Sequence, residues 1–222
     1  METKNTTNEV GLVFTMHKVG SSTFMQAMRE IGIAPERGYA ENRDYLMPLE
    51  KYHGVVTAVR DPVARNISFF FERYGSDILA INSNFGYKGL FKRFMESVEH
   101  NYPVTWFEEV FEPTFGLDVY KQKFVKSKGW AVYQERYLVM RTDKIEKSLQ
   151  YAFQSLYGQK PPKLHRARTE ETRAYGQIYA DFLKEVRLPK DYVKLLYNTR
   201  YMKHFFLKEE IEELSQRWVK GL

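Results

Sequence analysis

One segment near the start of the chain, residues 17–24 (HKVGSSTF), contains the residue types that bind a phosphate or sulfate group. Glycine lets the backbone approach an anion, hydroxyl groups add hydrogen-bond donors, and Lys18 supplies a mobile positive charge. The apolar run 10–16 (VGLVFTM) precedes this segment, and an amphipathic stretch follows it. The order of strand, loop and helix predicts an anion-binding loop at the N-terminus of a helix.

The position of the lysine in this loop differs from that in a Walker A loop. In a Walker A loop the lysine follows the second glycine, whereas here Lys18 precedes Gly20. A P-loop kinase that acts on a small molecule and requires Mg²⁺ is therefore kept only as an alternative.

A second group of candidate residues follows the apolar run 55–59 (VVTAV), which has the continuous hydrophobicity of a buried parallel strand. Arg60 ends this run, and Ser68 lies eight residues further on in a predicted helix. A guanidinium offers a planar fork of donors to a phosphate, and a hydroxyl on the next helix can complete the site. Arg65, between them, is interpreted as a solvent-exposed helix charge.

The two motifs together resemble the nucleotide site of sulfotransferases that use 3'-phosphoadenosine 5'-phosphosulfate (PAPS). The segment Lys-x-Gly-Ser-Ser-Thr is similar to their 5'-phosphosulfate loop, and residues 60–68 (RDPVARNIS) are similar to their 3'-phosphate motif. Residues 17–24, 106–120 (WFEEVFEPTFGLDVY) and 197–206 also resemble a bacterial group of capsular polysaccharide synthesis proteins.

This resemblance implies a transferase that moves a sulfuryl group from PAPS to a hydroxyl and releases 3'-phosphoadenosine 5'-phosphate (PAP), without a metal. It also implies that the acceptor is a carbohydrate or glycoconjugate, as in polysaccharide or capsule biosynthesis. Lys18 would stabilise charge on the oxygen that bridges phosphate and sulfate. The implied nucleotide-binding residues are Lys18, Val19, Gly20, Ser21, Ser22, Thr23, Phe24, Arg60 and Ser68.

The base that accepts the proton of the acceptor hydroxyl is not identified by the sequence. Glu41, Asp44 and His53 lie between the two motifs and are candidates. His17 is interpreted as a structural histidine. The basic segment 163–168 (KLHRAR) is interpreted as a solvated surface, and no aromatic residue is singled out as an adenine ligand.

The elements that must position these motifs follow from the hydrophobic pattern. We predict an α/β, P-loop-like three-layer fold with a short central parallel sheet flanked by helices, a helical C-terminal part, and one domain over residues 1–222. Further predicted elements are a helix from about Ser22 that stops at Gly32, a helix that starts at Asp61-Pro62, a helix near 106–111, a strand over 137–140 with an edge hairpin at 130–133, and a helix over 144–156 that stops at Gly158.

Composition restricts the remaining possibilities. The 34 Lys and Arg against 28 Asp and Glu give a net charge of +6, which suits an anionic ligand, and the absence of cysteine excludes a disulfide framework. The polar start predicts no integral membrane segment and a cytoplasmic protein. We expect no nucleic acid partner. Residues 87–94 (YKGLFKRF), with interleaved basic and aromatic side chains, support the alternative of a non-catalytic protein that binds an anionic polysaccharide or a nucleotide.

Overall fold

The structure, a computed structural model, describes residues 9–163 and 173–220. The chain divides into two compact units, one comprising Met1–Arg60 and Thr114–Ala167 and the other Asp61–Pro113 and Arg168–Leu222. The organisation as one domain over residues 1–222 stays a prediction. The α-helices of the described residues are, in chain order, α1 (Ser21–Glu30), α2 (Pro62–Arg73), α3 (Gly75–Ser97), α4 (Tyr102–Trp106), α5 (Glu112–Phe115), α6 (Ile145–Tyr157), α7 (Gly176–Glu185), α8 (Lys190–Tyr197), α9 (Arg200–Phe205) and α10 (Lys208–Lys220).

A five-stranded sheet forms the centre of the first unit and confirms the α/β class. Four strands are parallel, and the last pair is the antiparallel hairpin predicted at the edge. The P-loop-like identity of the fold stays a prediction. The strands are β1 (Val10–Phe14), β2 (Ala34–Gly38), β3 (Tyr52–Val59), β4 (Trp130–Tyr133) and β5 (Tyr137–Arg141), in the spatial order β2-β1-β3-β5-β4.

Strand β2 (APERG) is the strand that the sequence did not predict. Its composition is typical of a turn, yet all five residues pair in parallel with β1, from Val10 opposite Ala34 to Phe14 opposite Gly38. β2 lies at the end of the sheet, and an edge strand tolerates Pro35 because its missing N–H need not take part in the ladder. Pairing with the apolar β1 therefore overrides the weak local preference of this segment.

Helices α1 and α6 both pack against β1 on the same face of the sheet. A Cβ atom at Gly11 would lie 3.0 Å from the side chains of Met28 in α1 and Tyr157 in α6. Glycine at this position therefore allows both helices to approach the strand. The stops predicted for the two helices, Gly32 and Gly158, have the left-handed φ values of 80° and 70° that favour glycine.

The second unit is helical in its described part. Asp61 caps α2 as predicted, because its Oδ1 accepts a hydrogen bond of 3.0 Å from the N–H of Val63. Helix α3 is interrupted at Gly86, where φ is 58°. The predicted helical stretch near residues 106–111 is confirmed as a π-helical turn, Phe107–Phe111, between α4 and α5.

Aromatic side chains form the core of this second unit. The ring of Phe71 in α2 lies 5.1 Å from that of Tyr179 and 5.4 Å from that of Phe182, both in α7. Tyr87 also packs on Phe182 at 5.5 Å, whereas Lys88 is exposed. In the YKGLFKRF segment, Tyr87 therefore packs against the core of this unit, whereas the neighbouring Lys88 faces solvent.

None of the helices within residues 9–163 and 173–220 is both long and apolar enough to cross a membrane.

Candidate functional site

The centre of the sheet is a point where the chain connections diverge. β1 and β3 are neighbours, but the chain passes from β1 to β2 on one side, and β3 is followed in the sheet by β5 on the other. Proteins with open parallel sheets bind ligands in the crevice outside the carboxyl ends of such strands. The predicted loop follows β1 and Arg60 follows β3, so both lie at the carboxyl edge of the sheet where the connections diverge.

The two predicted cationic residues meet at this position. Nη1 of Arg60 donates a hydrogen bond of 2.7 Å to the carbonyl oxygen of Lys18, 42 residues earlier in the chain. Lys18 has a φ of 68°, a left-handed conformation that costs a residue other than glycine about 1–2 kcal/mol. The Arg60 guanidinium therefore supports a loop whose backbone is strained at Lys18.

The N-terminus of α1 presents polar backbone groups at the end of the same loop. Gly20 is the capping residue, with φ of 84°, and neither a side-chain cap nor an acidic residue occurs in the first turn. The N–H groups of Thr23 and Phe24 donate to the carbonyl oxygen of Gly20 at 3.0 and 3.4 Å. The N–H groups of Ser21 and Ser22 have no acceptor within the helix, so they face the position where an anion would bind.

The side chains of Val19 and Phe24 are fully buried. These two residues therefore anchor the loop on either side of the glycine. Any contact of these two residues with a nucleotide would involve backbone atoms, and their role in binding the donor stays a prediction.

The turn after β5 contacts both the end of β3 and the loop that follows β1. The Thr142 hydroxyl donates a hydrogen bond of 3.2 Å to the carbonyl oxygen of Val59, and a Cβ atom at Gly20 would lie 3.1 Å from Cδ1 of Ile145. Arg141, at the end of β5, is 2% exposed and binds the Asp143 carboxylate through Nε and Nη2 at 3.0 and 2.7 Å. Arg141 is therefore a structural residue at the carboxyl edge of the sheet.

Arg37 is a cationic residue near the loop that the sequence did not identify. It lies near the carboxyl end of β2, where Nη2 donates to Oγ of Ser22 at 3.4 Å and Nε contacts Sδ of Met25 at 3.0 Å. Its guanidinium is thus beside the positive pole of α1, an arrangement that an anion would stabilise. The sequence signal for Arg37 is an arginine near the end of a strand, and this signal is hidden because β2 has the composition of a turn.

His17 lies in the loop and contacts the segment that follows β2. Its ring is stacked on Tyr39, with centroids 4.2 Å apart and planes inclined by 10°. Nε2 of His17 is 4.0 Å from Oε1 of Glu41, one of the candidate bases. Asp44, another candidate, is highly exposed and lies 3.8 Å from the Arg43 guanidinium.

His53, the third candidate base, lies at the opposite edge of the sheet. It is the second residue of β3, and Arg60 follows the last, so about 23 Å of extended chain separates them. Nδ1 of His53 is 3.5 Å from Oε1 of Glu9, and its ring stacks on Tyr157. The structure therefore does not bring His53 to the loop.

Ser68 and Arg65 are both buried in α2 of the second unit, at 1% and 2% exposure. The interpretation of Arg65 as a solvent-exposed charge is wrong. Its guanidinium lies 4.5 Å above the Phe69 ring and 5.2 Å above the Tyr102 ring, and Nη1 donates to Oδ1 of Asn66 at 3.1 Å. Stacking on the rings and this hydrogen bond compensate for the lost hydration. The role of Ser68 in binding a nucleotide stays a prediction.

The carboxylate of Asp61, the residue after Arg60, is held within the second unit. It accepts hydrogen bonds from the N–H groups of Val63 and Ala64, the Tyr197 hydroxyl and the Trp218 indole. Burial raises the pKa of this carboxyl, and the four hydrogen bonds oppose the shift. Asp61 therefore joins helices instead of contacting a ligand.

Within residues 9–163 and 173–220, no group of three or more His, Cys, Asp and Glu side chains is arranged to hold a metal ion. Residues 164–168 of the basic segment KLHRAR lie outside the described residues. No family model matches the chain, and no curated protein or solved structure matches it either.

Proposed function

We propose that this protein is a sulfotransferase that transfers a sulfuryl group from PAPS to a hydroxyl of a carbohydrate or glycoconjugate. The observation that supports this most strongly is the hydrogen bond from Arg60 to the Lys18 carbonyl, at the point where β1 and β3 diverge. The first residues of the two motifs that resemble the PAPS site are therefore adjacent. The proposal includes a P-loop-like identity for the fold.

The residues of the loop would bind the donor through several kinds of contact. The N–H groups of Ser21 and Ser22, with the Ser22 and Thr23 hydroxyls, would hold the 5'-phosphate at the positive end of α1. Arg60 would contact the 3'-phosphate, the group that distinguishes PAPS from ordinary adenine nucleotides. Arg37 would add a second guanidinium beside the phosphosulfate.

The chemical step requires stabilisation of one developing charge. The acceptor oxygen attacks sulfur, the bond from sulfur to the bridging oxygen breaks, and the electron pair remains on that oxygen as PAP leaves. The Lys18 ammonium would stabilise this charge. Removal of a preorganised donor of this kind lowers the rate about 100- to 1000-fold.

Binding of PAP tests the proposal without knowledge of the acceptor. Calorimetry would compare PAP with ADP on wild type, Lys18→Ala and Arg60→Ala. Two matched controls lie at the amino edge of the same sheet. Lys51 directly precedes β3, and Arg136 precedes β5 and donates to the Leu49 carbonyl at 3.4 Å, as Arg60 does to Lys18.

We expect wild type to bind PAP at least about tenfold more tightly than ADP, which corresponds to about 1.4 kcal/mol. Lys18→Ala and Arg60→Ala should each weaken PAP binding by about tenfold or more, whereas Lys51→Ala and Arg136→Ala should leave it unchanged. Preference for ATP with Mg²⁺ would instead favour the kinase. Binding of an anionic polysaccharide that weakens steeply with salt, without PAP binding, would favour the non-catalytic alternative.

A further inference from the structure

We propose that His17 accepts the proton of the acceptor hydroxyl, that Glu41 is a positioning residue for it, and that the acceptor approaches the loop from the β2 side. This inference rests on the proposed sulfuryl transfer and assigns the base that the motifs leave unassigned.

The His17 ring contacts the segment that follows β2. It stacks on Tyr39, and Oε1 of Glu41 lies 4.0 Å from Nε2, within the distance of an ion pair. Tyr39 is the first residue after β2 and Glu41 the third, while His17 directly precedes Lys18. A histidine beside a carboxylate is therefore the neighbour in sequence of the lysine that would stabilise the leaving oxygen.

The proton balance of the reaction requires such a group. As the acceptor oxygen forms its bond to sulfur, its proton passes to the His17 imidazole, and the Glu41 carboxylate stabilises the imidazolium. The bond from sulfur to the bridging oxygen breaks at the same time, and the charge on that oxygen is stabilised by Lys18. The imidazolium then releases its proton to solvent after PAP has left.

The sheet order indicates the side from which the acceptor approaches. Attack at sulfur is in line, so the entering and leaving oxygens lie on opposite sides of the sulfur atom. Arg60 flanks the loop from β3, whereas Tyr39 and Glu41 flank it from β2, on the other side of β1. We place the 3'-phosphate on the β3 flank, beside Arg60, and the acceptor on the β2 flank, where His17 meets Tyr39 and Glu41.

The same unit contains a matched control for this cluster. His53 also stacks on a tyrosine, Tyr157, and lies 3.5 Å from a glutamate, Glu9. The side chains of His17 and His53 are 36% and 38% exposed, so a chemical reagent reaches them about equally well. The two clusters differ in position, since His53 is at the amino edge of the sheet and His17 at the carboxyl edge.

The first test is modification of histidine by diethylpyrocarbonate, followed by peptide mass mapping. Hydrolysis of PAPS should fall in proportion to the fraction of His17 that is modified, because a modified imidazole no longer accepts a proton, while PAP affinity stays unchanged. Modification of His17 in His53→Gln should cause the same loss, which excludes His53 as its cause. Full turnover in protein whose His17 is modified, and which still binds PAP by calorimetry, would overturn the inference.

The second test measures PAPS turnover with water as the acceptor. We expect His17→Gln to lower turnover about 100-fold or more, the usual contribution of a general base, with unchanged PAP affinity. His53→Gln should have no effect. Glu41→Gln should lower turnover and Glu41→Asp should recover part of it, an outcome that a merely structural glutamate would not give. Wild-type turnover in His17→Gln would also overturn the inference.

A further probe separates the base from a general loss of activity. p-Nitrophenol is ionised at mildly alkaline pH and needs no base, so transfer to it should survive in His17→Gln but not in Lys18→Ala. Failure of wild type to bind PAP would reject the proposed function itself. Binding of PAP together with full turnover in His17→Gln would reject only the role of His17.

Discussion

The indole N–H of Trp218 donates a hydrogen bond of 2.9 Å to Oδ2 of Asp61, although 157 residues separate them in the chain. The other carboxylate oxygen accepts hydrogen bonds from the Tyr197 hydroxyl and from the first turn of α2. One carboxylate therefore joins the start of α2 to α8 and α10 within the second unit. Because the carboxylate is enclosed, each lost donor leaves part of its charge uncompensated.

Trp218→Phe should lower the free energy of unfolding by about 1.5–3 kcal/mol, the contribution of a hydrogen bond to a charged group, together with a smaller packing loss. Urea unfolding of Trp218→Phe, Asp61→Asn and the double variant would give the coupling energy between the two residues. We expect a coupling of about 1 kcal/mol or more. Simple additivity of the two single effects would contradict a direct interaction.

Arg37→Ala should weaken anion binding without lowering the stability of the ligand-free protein. Without ligand, loss of a cation beside the positive pole of α1 should leave the protein equally stable or about 0.3–1 kcal/mol more stable. PAP affinity should nevertheless fall by about threefold to tenfold. Arg29→Ala, in the last turn of the same helix, is the control and should lower stability slightly without a change in affinity. Unchanged PAP affinity in Arg37→Ala would argue against an anion beside Ser22.

Gly20→Ala should destabilise the loop in two ways. At φ of 84° an alanine is strained by about 1–2 kcal/mol, and its Cβ would lie 3.1 Å from Ile145. Gly32→Ala is the control. Gly32 has a φ of 80°, and no atom lies within 4 Å of an added Cβ, so this variant has the backbone strain without the steric contact. Thermal unfolding should show a loss in both variants. Calorimetry should show weaker PAP binding in Gly20→Ala only, and a similar loss of affinity in Gly32→Ala would point to a global effect.

Tyr52 should make stability depend on alkaline pH. Its hydroxyl donates to Oε1 of Glu36 at 2.6 Å, and burial together with this carboxylate raises the pKa of Tyr52 to about 12. Since the neutral form is favoured in the folded state, this stability is present below pH 10 and is lost as the pH rises toward 12. Tyr52→Phe should therefore lose less stability than wild type between pH 9 and 11.

The measurement for Tyr52 is denaturant unfolding at both pH values. Tyr45→Phe, which replaces a tyrosine that is 87% exposed, is the control and should behave as wild type. An identical pH dependence in wild type and Tyr52→Phe would show that other groups dominate the alkaline loss.

The parts of the fold with strong local signals could be predicted from the sequence. β1, β3 and β5 are continuous apolar runs, and Asp61-Pro62 and Gly158 mark helix ends by their own backbone chemistry. β2 could not be predicted, because its conformation depends on pairing with β1 and not on the preferences of its residues. The position of Arg37 beside α1 could not be predicted either, because Arg37 lies in β2.

The predicted site differed from the structure where long-range packing decides. The sequence predicts an exposed Arg65 because charged residues are usually exposed, whereas its guanidinium packs over the ring of Tyr102, 37 residues further along the chain. Glu41 and His53 are both between the motifs in sequence, but only the sheet shows that His53 is at the amino edge. The order of strand, loop and helix around Lys18 and Gly20 was predictable, because an apolar run precedes this segment and an amphipathic stretch follows it. The anion-binding role of the loop stays a prediction.

The left-handed backbone of Lys18 suggests a trade-off between stability and activity. Glycine at this position would relieve the strain, so selection for thermal stability alone would be expected to favour Lys18→Gly. That exchange would also remove the charge proposed to assist departure of PAP. If the protein is evolved in the laboratory under heat, variants at residue 18 should gain heat resistance and lose turnover. If the lysine is retained instead, selection for catalysis has outweighed selection for stability.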